Sequence, residues 1–120
     1  MTQETLEPGC VFCQRISRGE YTSSSGLVVA FEPLRPVTKG HLLVVPAVHV
    51  RHALEEPSVT GVTFSFAAEL ARGMVTDQDT AINLITSAGA SASQTVFHFH
   101  VHIVPRHRGD GLKLPWTDQP

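Results

Sequence analysis

Residues 94–107, QTVFHFHVHIVPRH, set His98, His100 and His102 in alternation with Phe97, Phe99, Val101 and Ile103. A period of two with aromatic and β-branched partners belongs to a strand, whose successive side chains leave opposite faces. The pattern predicts one buried face of Phe97, Phe99, Val101 and Ile103 and an opposite face carrying three imidazoles. At about 3.3 Å of rise per residue, neighbouring histidines of such a face lie about 6.6 Å apart, comparable to the reach across a phosphate hydrogen-bonded at both ends. Pro105 has no N–H and is predicted to end the strand. One histidine there would be an ordinary half-exposed polar residue. Three at period two point to a site, because imidazole titrates near 6.5 and serves as base, nucleophile or metal ligand near neutrality.

Composition narrows the classes. The chain has 120 residues, 42% hydrophobic and 17% charged, which fits one globular domain with its own core. A formal charge of −2 and the lack of a basic run exclude duplex nucleic acid as an expected partner. No apolar segment approaches the roughly 20 residues of a membrane span, and no signal-peptide h-region opens the chain, so a cytoplasmic protein is expected. The two cysteines, Cys10 and Cys13, form CVFC. In a reducing compartment that spacing suits metal ligands or a redox dithiol. A thioredoxin-like pair opens a helix after a strand, a context missing this near the N-terminus, which favours the metal.

Along the chain, residues 1–9 are expected to be a mobile tail and CVFCQRISRGE a short helix closed by Gly19. TSSSG (22–26) reads as a turn, LVVAFE (27–32) and HLLVVP (41–46) as strands, with Pro46 ending the second. From Pro57 to about Thr76, Val59, Val62, Phe66, Leu70 and Met74 recur at helical spacing as a core stripe, with Pro57 suited to the first turn. AINLIT (81–86) is a further strand, SAGASAS (87–93) a loop, and residues after RGDG (108–111) a tail carrying Trp116. Helices and strands mixed without a repeated βαβ unit imply an α+β fold with an antiparallel sheet, one long helix and one short N-terminal helix.

QTVFHFHVHIVP resembles the signature of the histidine-triad (HIT) family, in which three histidines alternate with apolar residues. CVFC, RPVTKGHLLVVPAVHV and NLITSAGASASQ match further family segments in order, so the resemblance runs from about Cys10 to Asp110. It implies a homodimeric α+β fold spanning 10–110 and a substrate of the AMP type, cleaved at the α-phosphate. Phosphoramidates and dinucleoside polyphosphates are the substrate classes it implies. His100 is implied as the nucleophile, forming a nucleotidyl-histidine that water hydrolyses; His102 is implied to stabilise phosphate charge or protonate the leaving group. Gln94, Thr95, Asn83 and Ser87 are implied at the nucleotide, with Phe12 and Phe31 as candidate walls of a base pocket and His41 supporting the triad. Taken alone, Phe12 and Phe31 read as core, and His41 as a structural strand residue. Cys10, Cys13, His49 and His98 match the structural zinc ligands of many bacterial relatives, a donor set suited to a closed tetrahedron.

The chain also departs from the family. Pro33 stands where an acidic residue or Asn usually binds the ribose, Ser87 where Asn or Asp is common, and Ser93 where glycine is usual. The first hairpin is short. These departures keep open a nucleotide-binding regulator with little turnover; a zinc-stabilised interaction module without ligand chemistry is a third reading, for which four matching segments would be needless.

Overall fold

The computed structural model describes residues 7–117, so the expectations for residues 1–6 and 118–120 lie outside the described residues. Helix α1 (Val11–Ser17) starts at Cys10, whose sulfur accepts the Cys13 N–H. Gly19 follows it with φ 69°, the left-handed position that closes a helix. Strands β1 (Ser23–Ser24), β2 (Val28–Phe31) and β3 (Leu42–Pro46) precede helix α2 (Pro57–Met74); β4 (Ala81–Ile85) and β5 (Val101–Arg106) follow it. They form one antiparallel sheet ordered β1-β2-β3-β5-β4, the α+β arrangement expected. The Ser-rich turn thus contributes a two-residue edge strand.

Alternation along the strands divides two cores. Val28, Ala30, Val44, Phe99, Val101 and Ile103 face α2. Val29, Phe31, Leu43 and Val45 face the other way, with Phe12 of α1. Helix α2 meets the sheet through its small residues: Thr63, Ala67 and Ala71 are buried, flanked by Val59, Phe66, Leu70 and Met74. Val62, expected in the stripe, is 45% exposed. Helix and sheet approach most closely where side chains are small, so apolar size misplaced the centre of the face. Thr63 fits there because its hydroxyl donates to the Val59 carbonyl of the preceding turn (2.8 Å).

The histidine strand is shorter and later than its pattern suggests. β5 begins only at Val101, because its neighbours run out: pairing starts at Val44↔Val101 on one side and Ile85↔His102 on the other. Residues 98–100 lie beside 46–50 instead, with the Phe99 N–H on the Val50 carbonyl (2.7 Å). The alternation of sides persists through Phe99, but Phe97 is 41% exposed rather than core. Pro105 does not end the strand; it pairs with Ile82. The ladder to β3 has ended by Ile103, so no bond to that neighbour is forfeited at Pro105. Gly40 passes close by, where a Cβ would lie 3.3 Å from the Pro105 ring.

Residues 108–112 are tied down. The Arg106 guanidinium grips both Asp110 oxygens (2.8 and 3.0 Å) and donates to the Asn83 side chain (2.8 Å) and the Leu112 carbonyl (2.7 Å). The Arg106 hydrogen bonds hold the Asp110 carboxyl below the usual carboxylate range.

Candidate functional site

Two clusters occupy the sheet face opposite α2, and hydrogen bonds assign the tautomer of nearly every imidazole in them. The first joins Cys10 and Cys13 of the α1 start with His49 and His98. His98 is fully buried and its Nε2–H donates to the Pro46 carbonyl (2.8 Å), so its Nδ1 lone pair faces the sulfurs. Nδ1 of His98 lies 3.5 Å from each sulfur and 3.1 Å from Nδ1 of His49, which is 3.4 Å from the Cys13 sulfur. Tetrahedral donors at zinc-like bond lengths are separated by about 3.5 Å for S···N and about 3.3 Å for N···N. These four edges fit a four-coordinate cation, and all the donor atoms lie within 4.8 Å of one another. Main-chain N–H groups of Glu7 and Cys13 point at the sulfurs (3.3 and 3.4 Å), as suits thiolates. Burial pushes the Cys13 thiol up to about 11 and His98 down to about 4; both resist charge unless a cation is shared among them.

The second cluster shares His98 as a hinge. His100 places its Nδ1 2.8 Å from the His98 carbonyl, which can only accept, so Nδ1 carries the proton and Nε2 keeps its lone pair. His41 accepts the Val37 N–H at Nδ1 (3.1 Å) and therefore donates from Nε2 to Nδ1 of His102 (3.0 Å). His102 is left with its proton on Nε2. One ring thus offers a lone pair and its neighbour, 5.1 Å away between centroids, offers a donor. Burial lowers the pKa of His100 and His41 and, with the nearby His100 and His41 rings, takes His102 to about 4. Burial thus favours the neutral form of all three rings.

His41, His100 and His102 line a cavity of 370 Å³ together with Ser87, Ser93, Gln94 and Thr95. Gln94 is committed to the loop itself. Its amide donates to the Arg51 and Val96 carbonyls (2.7 and 3.0 Å) and accepts the Gly89 N–H (2.8 Å), holding the turn through Ala90–Ala92 closed. Thr86 donates to the His100 carbonyl (2.6 Å), fixing the triad segment from β4. Phe12 stands perpendicular to His100 at 5.1 Å and packs edge-on against Phe31. The face of Phe31 is covered by the Arg15 guanidinium, 3.9 Å from the ring centre. Phe12, Phe31 and Asn83 are not among the cavity-lining residues; Asn83 accepts from Arg106. Pro33 likewise lies off the cavity.

Sequence reasoning did not find the Val37 N–H that sets the His41 tautomer, since main-chain donors leave no compositional trace. It missed the Arg106 clamp as well, although opposite charges at 106 and 110 were a readable signal. Ser93 was noted only as a replaced glycine. It sits at φ 71°, ψ 20°, a left-handed backbone that costs a non-glycine residue on the order of 1–2 kcal/mol.

Comparison with known proteins agrees with this fold. The HIT domain profile matches residues 18–109. "Protein hit" of Bacillus subtilis is 33% identical over 114 residues, covering 89% of this chain and 78% of that protein. "Adenylylsulfatase HINT3" of Arabidopsis thaliana is 35% identical over 116 residues, 90% of this chain but 57% of that protein, so this chain spans little more than half of it. Among solved structures, a Streptococcus mutans protein superposes with a TM-score of 0.80 at 34% identity, covering 92% of this chain and 73% of that one. A HIT family protein from Bacillus anthracis gives 0.80 at 33%, covering 91% and 82%. With the family profile spanning residues 18–109 and relatives of 33% and 34% identity sharing the fold, the chain belongs to the HIT family.

Proposed function

We propose that this protein is a nucleotidyl hydrolase or transferase that cleaves at the α-phosphate of a nucleoside phosphoramidate or dinucleoside polyphosphate through an adduct on His100. The observation that carries the reading is the pair of opposed tautomers, a free Nε2 lone pair on His100 beside an Nε2–H on His102. A neutral imidazole is a competent nucleophile near pH 7, and covalent capture divides one hard step into two easier ones. As Nε2 of His100 bonds to phosphorus, the bond to the leaving group breaks and its electron pair departs with that group, an oxyanion leaving as such and an amine taking up a proton from solvent as it goes. The ring becomes cationic, and its Nδ1–H on the His98 carbonyl carries part of that charge. His102 donates toward the phosphate oxygens, where one preset donor is worth about 3–4 kcal/mol. Water then bonds to phosphorus, the P–N bond breaks and its electrons return to Nε2. The proton lost by water passes to solvent.

Zinc is the cation proposed for Cys10, Cys13, His49 and His98. Four protein donors fill its coordination, so it joins the α1 start to the triad segment rather than activating water. A second copy of the chain is proposed at β4, the longer of the two edge strands of the sheet. A monomeric mass at micromolar concentration in light scattering would refute that pairing.

The test of the chemistry is His100→Ala. Turnover of an adenosine phosphoramidate should vanish while AMP binding and the fold survive, and the wild type should yield an acid-labile, base-stable adduct on the 98–102 peptide. Undiminished turnover by His100→Ala refutes the assignment. A nucleotide-binding regulator remains the second reading, favoured by Pro33 at the ribose position; it predicts AMP binding by a wild type that turns nothing over.

A further inference from the structure

Ser93 holds a conformation that glycine would adopt without steric cost, and it is the one non-glycine residue with positive φ among the described residues. Its backbone role does not need serine: the Ser93 N–H closes the turn on the Ala90 carbonyl (2.9 Å), a bond glycine makes equally well. What serine adds is a hydroxyl, and this hydroxyl has no hydrogen-bond partner among the described residues. The residue is exposed and lines the cavity of His100 and His102, as do Ser87 and Thr95. Three hydroxyl-bearing residues therefore line the space beside the two imidazoles, and no carboxylate, lysine or arginine lines it.

That set of donors discriminates between leaving groups. A departing amine needs a proton, which an aliphatic hydroxyl is too weak an acid to give. A departing oxyanion needs none; it leaves with the electron pair of the broken P–O bond, and neutral O–H donors stabilise the charge that develops on it. We propose that Ser93 is a specificity determinant that donates to the leaving group of a nucleotidyl mixed anhydride, a sulfate- or phosphate-type oxyanion, and favours it over an amine. The proposal rests on the nucleotidyl-transfer reading above. In the step concerned, Nε2 of His100 bonds to the α-phosphorus, the bridging P–O bond breaks, and the oxyanion departs hydrogen-bonded to Ser93.

The experiment compares wild type, Ser93→Gly and Ser93→Ala on three substrates: adenylyl sulfate, diadenosine tetraphosphate and an adenosine alkylphosphoramidate. Thermal unfolding is measured beside kcat/KM. Ser93→Gly should unfold at a higher temperature than wild type, because the left-handed strain is relieved, whereas Ser93→Ala keeps the strain and gains nothing. Both should lose about tenfold in kcat/KM on the anhydrides, the worth of one hydrogen bond to a charged acceptor, and less than about twofold on the phosphoramidate. A loss on only one anhydride supports the proposal and assigns the oxyanion as sulfate or phosphate. Equal loss on all three substrates, or wild-type activity in both variants, overturns it. A wild type inert on every substrate overturns the nucleotidyl-transfer reading itself, and the Ser93 proposal with it.

Discussion

Replacing His41 by leucine tests whether a histidine that need not touch substrate governs the reaction through a tautomer. His41 is 4% exposed, accepts the Val37 N–H and donates to Nδ1 of His102. Leucine fills similar space but supplies neither bond. Nδ1 of His102 is then unpaired at a cost of about 1–3 kcal/mol whether or not it carries the proton, so nothing holds the proton on Nε2 and a population with the proton on Nδ1 appears. In that tautomer Nε2 presents a lone pair to the phosphate oxygens instead of a donor. Complete loss of one preset donor lowers kcat by about 10²–10³. Because His102 stays in place and part of the population keeps its proton on Nε2, His41→Leu should lower kcat by about 10- to 100-fold. His41→Gln retains a donor near the position of Nε2, so its loss should be only severalfold. The assay is kcat on an adenosine phosphoramidate, paired with ¹⁵N shifts of the His102 ring, which should report Nε2–H in wild type and a mixture in His41→Leu. AMP affinity should change little. Wild-type kcat in His41→Leu, or an unchanged His102 tautomer, refutes the relay.

Three further outcomes follow from the same geometry. Protein purified without chelator should carry about one zinc per chain; stripping it should lower the unfolding midpoint by well over about 10 °C, since structural zinc contributes on the order of 10 kcal/mol, and a metal-free protein of undiminished stability would sink the idea. Because His102 falls to about 4 and His41 also falls on folding, the unfolded chain binds more protons below pH 6.5; stability should therefore be full above about 6.5 and decline toward pH 4, and denaturant midpoints flat over that window would contradict the burial of the two rings. Phe99, fully buried and 6.4 Å from Phe64 between ring centres, should cost about 3–5 kcal/mol on truncation to alanine, while His100→Ala costs far less, measured by urea denaturation.

The sequence by itself determined the elements and their sides. A period of two placed Phe99, Val101 and Ile103 against the helix and His98, His100 and His102 away from it, because alternation is a local property of extended backbone. The resemblance to the family, rather than any local rule, joined Cys10, Cys13, His49 and His98 into one donor set, and the fold brings the four together. Tertiary structure decided what no local rule encodes. Whether residues 97–100 join the sheet depended on where β3 and β4 stop, and Pro105 survived in a strand because its neighbour on one side had ended. The buried line of α2 went to Thr63, Ala67 and Ala71 because closeness to the sheet outweighed apolar size. Above all, the protons were placed by carbonyls and N–H groups distant in sequence: Pro46 on His98, the His98 carbonyl on His100, and Val37 through His41 on His102. A neutral imidazole carries one proton and two chemically different nitrogens, so its role is set by whichever partner the fold puts against one of them.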